Sequence, residues 1–216
     1  MRVWIVLGVI YGLFFTWYTD LGGKLSDDES QSYISQLQNN TKQDNLPAEG
    51  AERLLTNMTK FMEEDTGKQF LMVNIIDMSE NPTFNDGTSS DQSADELMNK
   101  YMEHMYPELF KRASHPVYVG NAISNSVDIV GIANAEVWER AVLMRYKSRR
   151  AFMEIIATPE ILGEQKYKIA AVTTTRAFPE DPAIFFGDVS FIFGLILFLF
   201  GCFVISCVWT LYMFLL

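Results

Sequence analysis

The stretch VLMRYKSRRAFMEIIATPEI, residues 142–161, sets Arg145, Lys147, Arg149 and Arg150 between an apolar run and a helical pattern. A helix N-terminus already favours anions. Arg149 and Arg150 at such a position therefore imply something negative nearby. It is either a small anion or carboxylate ligand, or the chain's own acids, such as Glu154 or residues of the 80–96 loop. Metal chemistry has little to draw on. The two histidines are His104, on a helical pattern, and His115, at the start of a strand pattern. A metal site needs two or three converging ligands. His104 with Glu103 or Glu108 is the only candidate set, so no metal is expected. There is no phosphate-binding glycine loop, no Gly-x-Ser-x-Gly elbow and no haem-attachment cysteine pair. No catalytic residue and no cofactor is expected on these grounds. The 11 methionines read mainly as core filler.

The elements that must position these residues follow from hydrophobic periodicity. FLMVNIID (70–77) reads as a central strand, followed by a polar loop. Ser93 caps a helix with Glu96 completing a capping box. Leu97, Tyr101, Met105 and Leu109 form its inner face, and Pro107 is expected to kink or end it. Residues 115–124 read as a second strand, with 127–132 as a short extra strand or bulged continuation. Residues 138–146 read as a third strand. Ser148 caps the next helix, with Phe152, Ile155 and Ile156 inward, and Thr158-Pro159-Glu160 breaks it and starts a short one. Residues 168–178 read as the last strand. Strand, helix, strand, strand, helix, strand predicts an α+β fold, the ferredoxin-like βαββαβ arrangement. Two helices cover one sheet face. The other face needs a second copy, another subunit or the N-terminal helical segment. That segment opens at Ser26 and Glu29, resumes at Pro47 and ends at Asp65-Thr66-Gly67.

The ends differ from the middle. Residues 189–216 carry no charge, which predicts a transmembrane helix. Residues 3–18 are shorter and end in Phe14, Phe15, Trp17 and Tyr18, interface-type aromatics that suit an uncleaved anchor. Arg2 precedes this anchor, and acidic stretches border both spans on the inner side of the sequence. The expected topology is two-pass in a bacterial inner membrane, with the central domain periplasmic. With Arg2 set aside, 16 of the 17 basic residues and all 27 acidic residues lie between 20 and 188. That surplus disfavours nucleic acid as a partner. Gly8 and Gly12 on the first span, and Gly194 and Gly201 on the second, are close-approach positions for helix packing.

The segment AVLMRYKSRRAFMEIIATPE, followed by a strand ending TTTRAF, resembles the second half of domains in the dimeric α+β barrel superfamily. It is most similar to a bacterial family of unknown function whose pattern is matched by Arg145, Tyr146, Ser148, Phe152 and Pro159-Glu160. The resemblance covers about residues 68–180. The superfamily includes small monooxygenases and isomerases. It implies a possible homodimer and a barrel cavity in which a His, Asn or Tyr handles protons, roles that would fall to His115, Asn74 and Tyr101. Asn74 interrupts an otherwise apolar strand, but a buried Asn is equally a hydrogen-bonded structural residue.

The expected organisation is an anchor over 1–19, a helical segment over 20–66, a ferredoxin-like domain over 67–182 and a transmembrane helix over 188–216. Two functions fit. One is a non-enzymatic accessory subunit of a larger inner-membrane complex, its spans packed on other membrane-protein subunits and the lipid bilayer. The other is a membrane-tethered enzyme or binder of a small apolar molecule.

Overall fold

The computed structural model describes residues 2–43, 48–131 and 137–214. The chain divides into two units, residues 22–182 and the two terminal segments 1–21 and 183–216.

In the first unit β1 (Phe70–Met78) is the centre of a four-stranded sheet. It pairs antiparallel with β3 (Arg140–Tyr146) and with β4 (Val172–Glu180), and β3 pairs with β2 (His115–Asn121). The strand order is β2-β3-β1-β4. Side chains alternate across a strand. Phe70, Met72, Ile76 and Met78 therefore face one side with Met144 and Tyr146, and all six belong to the hydrophobic core. That side is covered by α4 (Ala94–Lys111), α5 (Arg149–Ile156) and α6 (Pro159–Ala171). The opposite face carries a row that crosses all four strands by register: Tyr118, Leu143, Val73 and Phe178. Its outer members, Tyr118 and Phe178, are exposed.

Capping fixes where the helices begin. Ser93 and Glu96 form a reciprocal capping box at α4. Ser148 accepts from Ala151 N at α5, and Ser26 and Glu29 cap α2 (Asp27–Gln43). The second upstream helix, α3, runs Ala48–Glu63, and the proposed Pro47 start lies outside the described residues. α2 and α3 contribute to the core of the domain. Leu37, Phe61 and Met62 are buried in the same core as the helix-side face, and Phe61 packs edge-on against Phe70 and Phe152.

The structure corrects several sequence expectations. α4 runs through Pro107 to Lys111. A proline forfeits one helical hydrogen bond, and here the buried stripe Leu97, Tyr101, Met105 and Leu109 holds the helix together across it. Residues 127–131 form no strand, and residue 132 lies outside the described residues. Residues 168–171, read as the start of the last strand, complete α6 instead. The short helix expected after Thr158 is 13 residues long, and β4 begins only at Val172.

The second unit holds α1 (Arg2–Tyr18) and α7 (Val189–Phe214). Within α7, Val189–Thr210 is long and apolar enough to cross a membrane, with a mean hydropathy of 2.8. It is the one such helix among the described residues. At 17 residues α1 is about 26 Å long, short of the roughly 30 Å of a bilayer core. The two helices pack antiparallel, with Trp4 against Phe198 and Phe14 against Phe193.

Candidate functional site

Between the sheet and helices α4 and α6 lies a partly open cavity of about 230 Å³. Asn74 of β1, with Val142, Met144 and Tyr146 of β3, forms the sheet side. Met98, Tyr101, Met102 and Met105 come from α4, and Lys168 from α6. Helical spacing explains each placement. Tyr101 stands on the stripe that also buries Leu97 and Met105. Lys168 lies seven residues after Ile161 and three before Ala171, both buried, so it falls on the inner stripe of α6.

Three polar groups meet here. Tyr101 is 8% exposed, and burial alone pushes its phenol up to about 12. Tyr146 is 5% exposed, and its phenol is also raised, first by burial and then by the nearness of Tyr101. Lys168 is only partly buried as a residue, but its amine is the enclosed end, 5.8 Å from the centroid of the Tyr101 ring. Burial lowers its amine below the usual lysine range. Neither phenol hydroxyl nor the Lys168 amine has a hydrogen-bond or ion-pair partner among the described residues. Buried polar groups are otherwise satisfied almost without exception. Asn74 donates its Nδ2 to the Met72 carbonyl at 3.1 Å and to the Val142 carbonyl at 3.4 Å.

The arginines that stood out in the sequence lie elsewhere and are spoken for. Arg145 is 1% exposed and donates from Nε to Gln69 Oε1 at 2.7 Å and from Nη1 to the Ala113 carbonyl. Arg149 donates to the Phe61 carbonyl, covers the Phe61 ring at 4.6 Å and lies 3.8 Å from Asp65. Asp65 is itself buried and accepts from Leu25 N and Gly67 N. Arg150 donates to Glu29 at 2.8 Å and to the Gly23 and Lys24 carbonyls. The acids that answer α5 are therefore Glu29 and Asp65 of the upstream segment. Glu154 pairs with Arg112 instead. This cluster fastens α2 and α3 to the domain.

Of the six residues singled out as ligand candidates, Asn74 and Tyr101 line the cavity. His115 sits opposite Arg145 on the other sheet face, with Nδ1 3.0 Å from the Pro116 carbonyl. His104 Nε2 lies 3.8 Å from Glu164. On α7, a Cβ on Gly201 would meet the Trp4 ring at 2.6 Å and one on Gly194 would meet Tyr11 at 3.1 Å. Both glycines thus seat the chain's own α1, whereas Gly8 and Gly12 have no atom within 4 Å of such a Cβ. Sequence reasoning missed Lys168 and gave Tyr146 only a strand-ending role. The available signal for Lys168 was the period of 161, 168 and 171.

No family model matches the chain, and no curated protein matches it. Among solved structures, it is similar to a protein of unknown function from Rhodopseudomonas palustris, with a TM-score of 0.50 and 21% identity, over 60% of this chain and 93% of that one. A methylated form of that protein aligns with a TM-score of 0.51, 21% identity and 60% of this chain against 91% of that one. A dimeric protein of unknown function and ferredoxin-like fold from Bacteroides fragilis aligns at 0.33 and 9% identity, over 53% of this chain and 96% of that one. The central domain has a ferredoxin-like fold, a four-stranded antiparallel sheet in the order β2-β3-β1-β4, which it shares with the Rhodopseudomonas palustris protein.

Proposed function

We propose that this chain is a membrane-anchored binding protein whose ferredoxin-like domain takes a small, mainly apolar molecule into the cavity between its sheet and α4 and α6. One observation carries the reading. Tyr101, Tyr146 and Lys168 hold three enclosed polar groups without hydrogen-bond or ion-pair partners among the described residues, set among methionine and valine side chains. Binding sites commonly combine an apolar lining with a few convergent polar groups. The anchor is α7, with α1 packed along it. Arg2 before the first span and the acidic stretches that border both spans on the side of the central domain support a two-pass topology with the domain periplasmic in a bacterial inner membrane. The row Tyr118, Leu143, Val73 and Phe178 supports a homodimer formed through the open sheet face.

Benzyl alcohol is a suitable probe, because it offers one ring and one hydroxyl. It should raise the melting temperature of the detergent-solubilised full chain with concentration, as any ligand of the native state does. Val142→Trp, which fills the cavity from β3, should abolish that rise. A rise of equal size in both proteins contradicts the reading.

A second reading, an accessory subunit of a larger membrane complex, is favoured by the open space beside Gly8 and Gly12. Gly8→Leu with Gly12→Leu should then release other subunits from a gentle detergent extract. An unchanged extract would count against it.

A further inference from the structure

The cavity carries a charge imbalance that narrows its ligand. Among the described residues no Asp or Glu lines it, and its basic lining residues are Lys168 and Arg140. Arg140 is neutralised: Nη2 donates to Asp95 Oδ1 at 2.7 Å and Nε to Asn121 Oδ1 at 3.0 Å. Among the described lining residues Lys168 is left as the one cation without an acid, and its amine lies over the Tyr101 ring. An enclosed ammonium is costly unless it is paired. A neutral ligand leaves that cost in place. A dianion such as a phosphate brings one negative charge too many for a single free amine. A monoanion balances the site.

We propose that the ligand is a small monocarboxylic acid, aryl or short alkyl, whose carboxylate seats on the Lys168 amine and the Tyr101 and Tyr146 hydroxyls. Its apolar body lies against Met102 and Val142. This rests on the cavity being a binding site and specifies what enters it. The volume sets the size of the body. An apolar cavity of about 150 Å³ accepts benzene, so about 230 Å³ holds one ring with a carboxylate attached. Lysine and tyrosine both donate to a carboxylate, and hydrogen bonds to a charged partner are the stronger kind. Burial keeps the resting amine easy to deprotonate, and an arriving carboxylate favours the charged form again.

Benzoate and benzamide test this, being matched in shape and differing in charge. In calorimetric titration of the detergent-solubilised full chain, benzoate should bind about tenfold or more tighter than benzamide, as one charge-assisted hydrogen bond implies. Lys168→Met should erase the preference while still binding benzamide, which shows that the variant is folded. Tyr101→Phe should reduce the preference without erasing it. Equal binding of the two probes by the unaltered chain, or a preference that survives Lys168→Met, overturns the carboxylate assignment and leaves the cavity reading standing. Binding of neither probe contradicts the cavity reading, and the carboxylate assignment falls with it.

Discussion

Arg145, Arg149 and Arg150 on one side, and Lys168 on the other, all bring a cation to the edge of the same hydrophobic core. The arginines are surrounded by carbonyls and carboxylates of the chain: Ala113, Phe61, Gly23 and Lys24 carbonyls, with Glu29, Asp65 and the Gln69 amide. The lysine meets two phenols and, among the described residues, no acid. Four basic residues within six positions attract notice in a sequence, while a single lysine in a helix does not. Partnering reverses their rank. A basic group that the fold neutralises is holding the fold, and a basic group that the fold encloses without a counter-charge is placed for something else.

Substitutions separate the two regions. Arg145→Ala should have the largest effect. It strips a fully buried guanidinium and leaves the Ala113 carbonyl and the Gln69 amide without it, at a cost of about 3 kcal/mol in denaturant unfolding. A loss below about 1 kcal/mol would mean that the cluster is not structural. Glu29→Gln should cost at most about 1 kcal/mol, because its bond to Arg150 is only partly buried. The Arg150 hydrogen bond, with Ser26, holds the Glu29 carboxyl down at about 2, from an ordinary 4.5. A depressed carboxyl stabilises the fold above about pH 4.5, and that contribution is lost as pH falls towards 2. The Gln variant should therefore show a shallower loss of stability in that window than the unaltered chain.

Lys168→Met should have the smallest effect at neutral pH, and the opposite sign. Its amine is lowered in the folded state from 10.5, so the unfolded chain binds more protons between the lowered value and 10.5. Stability of the unaltered chain should rise with pH through that window, and the Met variant should lack that part of the rise. A variant less stable than the unaltered chain across this range would place Lys168 with the structural arginines.

Much of the scaffold was legible in the sequence because local signals and global packing agree. Ser93 with Glu96, Ser26 with Glu29, and Ser148 are caps whose partners sit within three residues, and the nearly continuous apolar run 70–77 marks β1 as a central strand. Helix α6 was legible only in part. KIAAVTTTRAF is rich in β-branched residues, so propensity extended the strand back to Lys168, whereas packing of Ile161, Ala170 and Ala171 into the core keeps those residues helical. That one boundary hid the site, because it took Lys168 off the inner stripe of α6. The partners of Arg149 and Arg150 were hidden for another reason. Asp65 and Glu29 lie 84 and 121 residues away in the chain, and charge pairing at that separation follows from tertiary structure alone.

The methionines give the most direct test of the central claim. Met98, Met102, Met105 and Met144 line the cavity, whereas Met153 is fully buried on α5 and does not. In the full chain labelled at its methionine methyl carbons, titration with benzyl alcohol should shift the NMR signals of those four residues in a saturable way and leave Met153 in place. Shifts that do not saturate, or that move Met153 as much as the cavity methionines, would contradict a binding site between the sheet and α4 and α6.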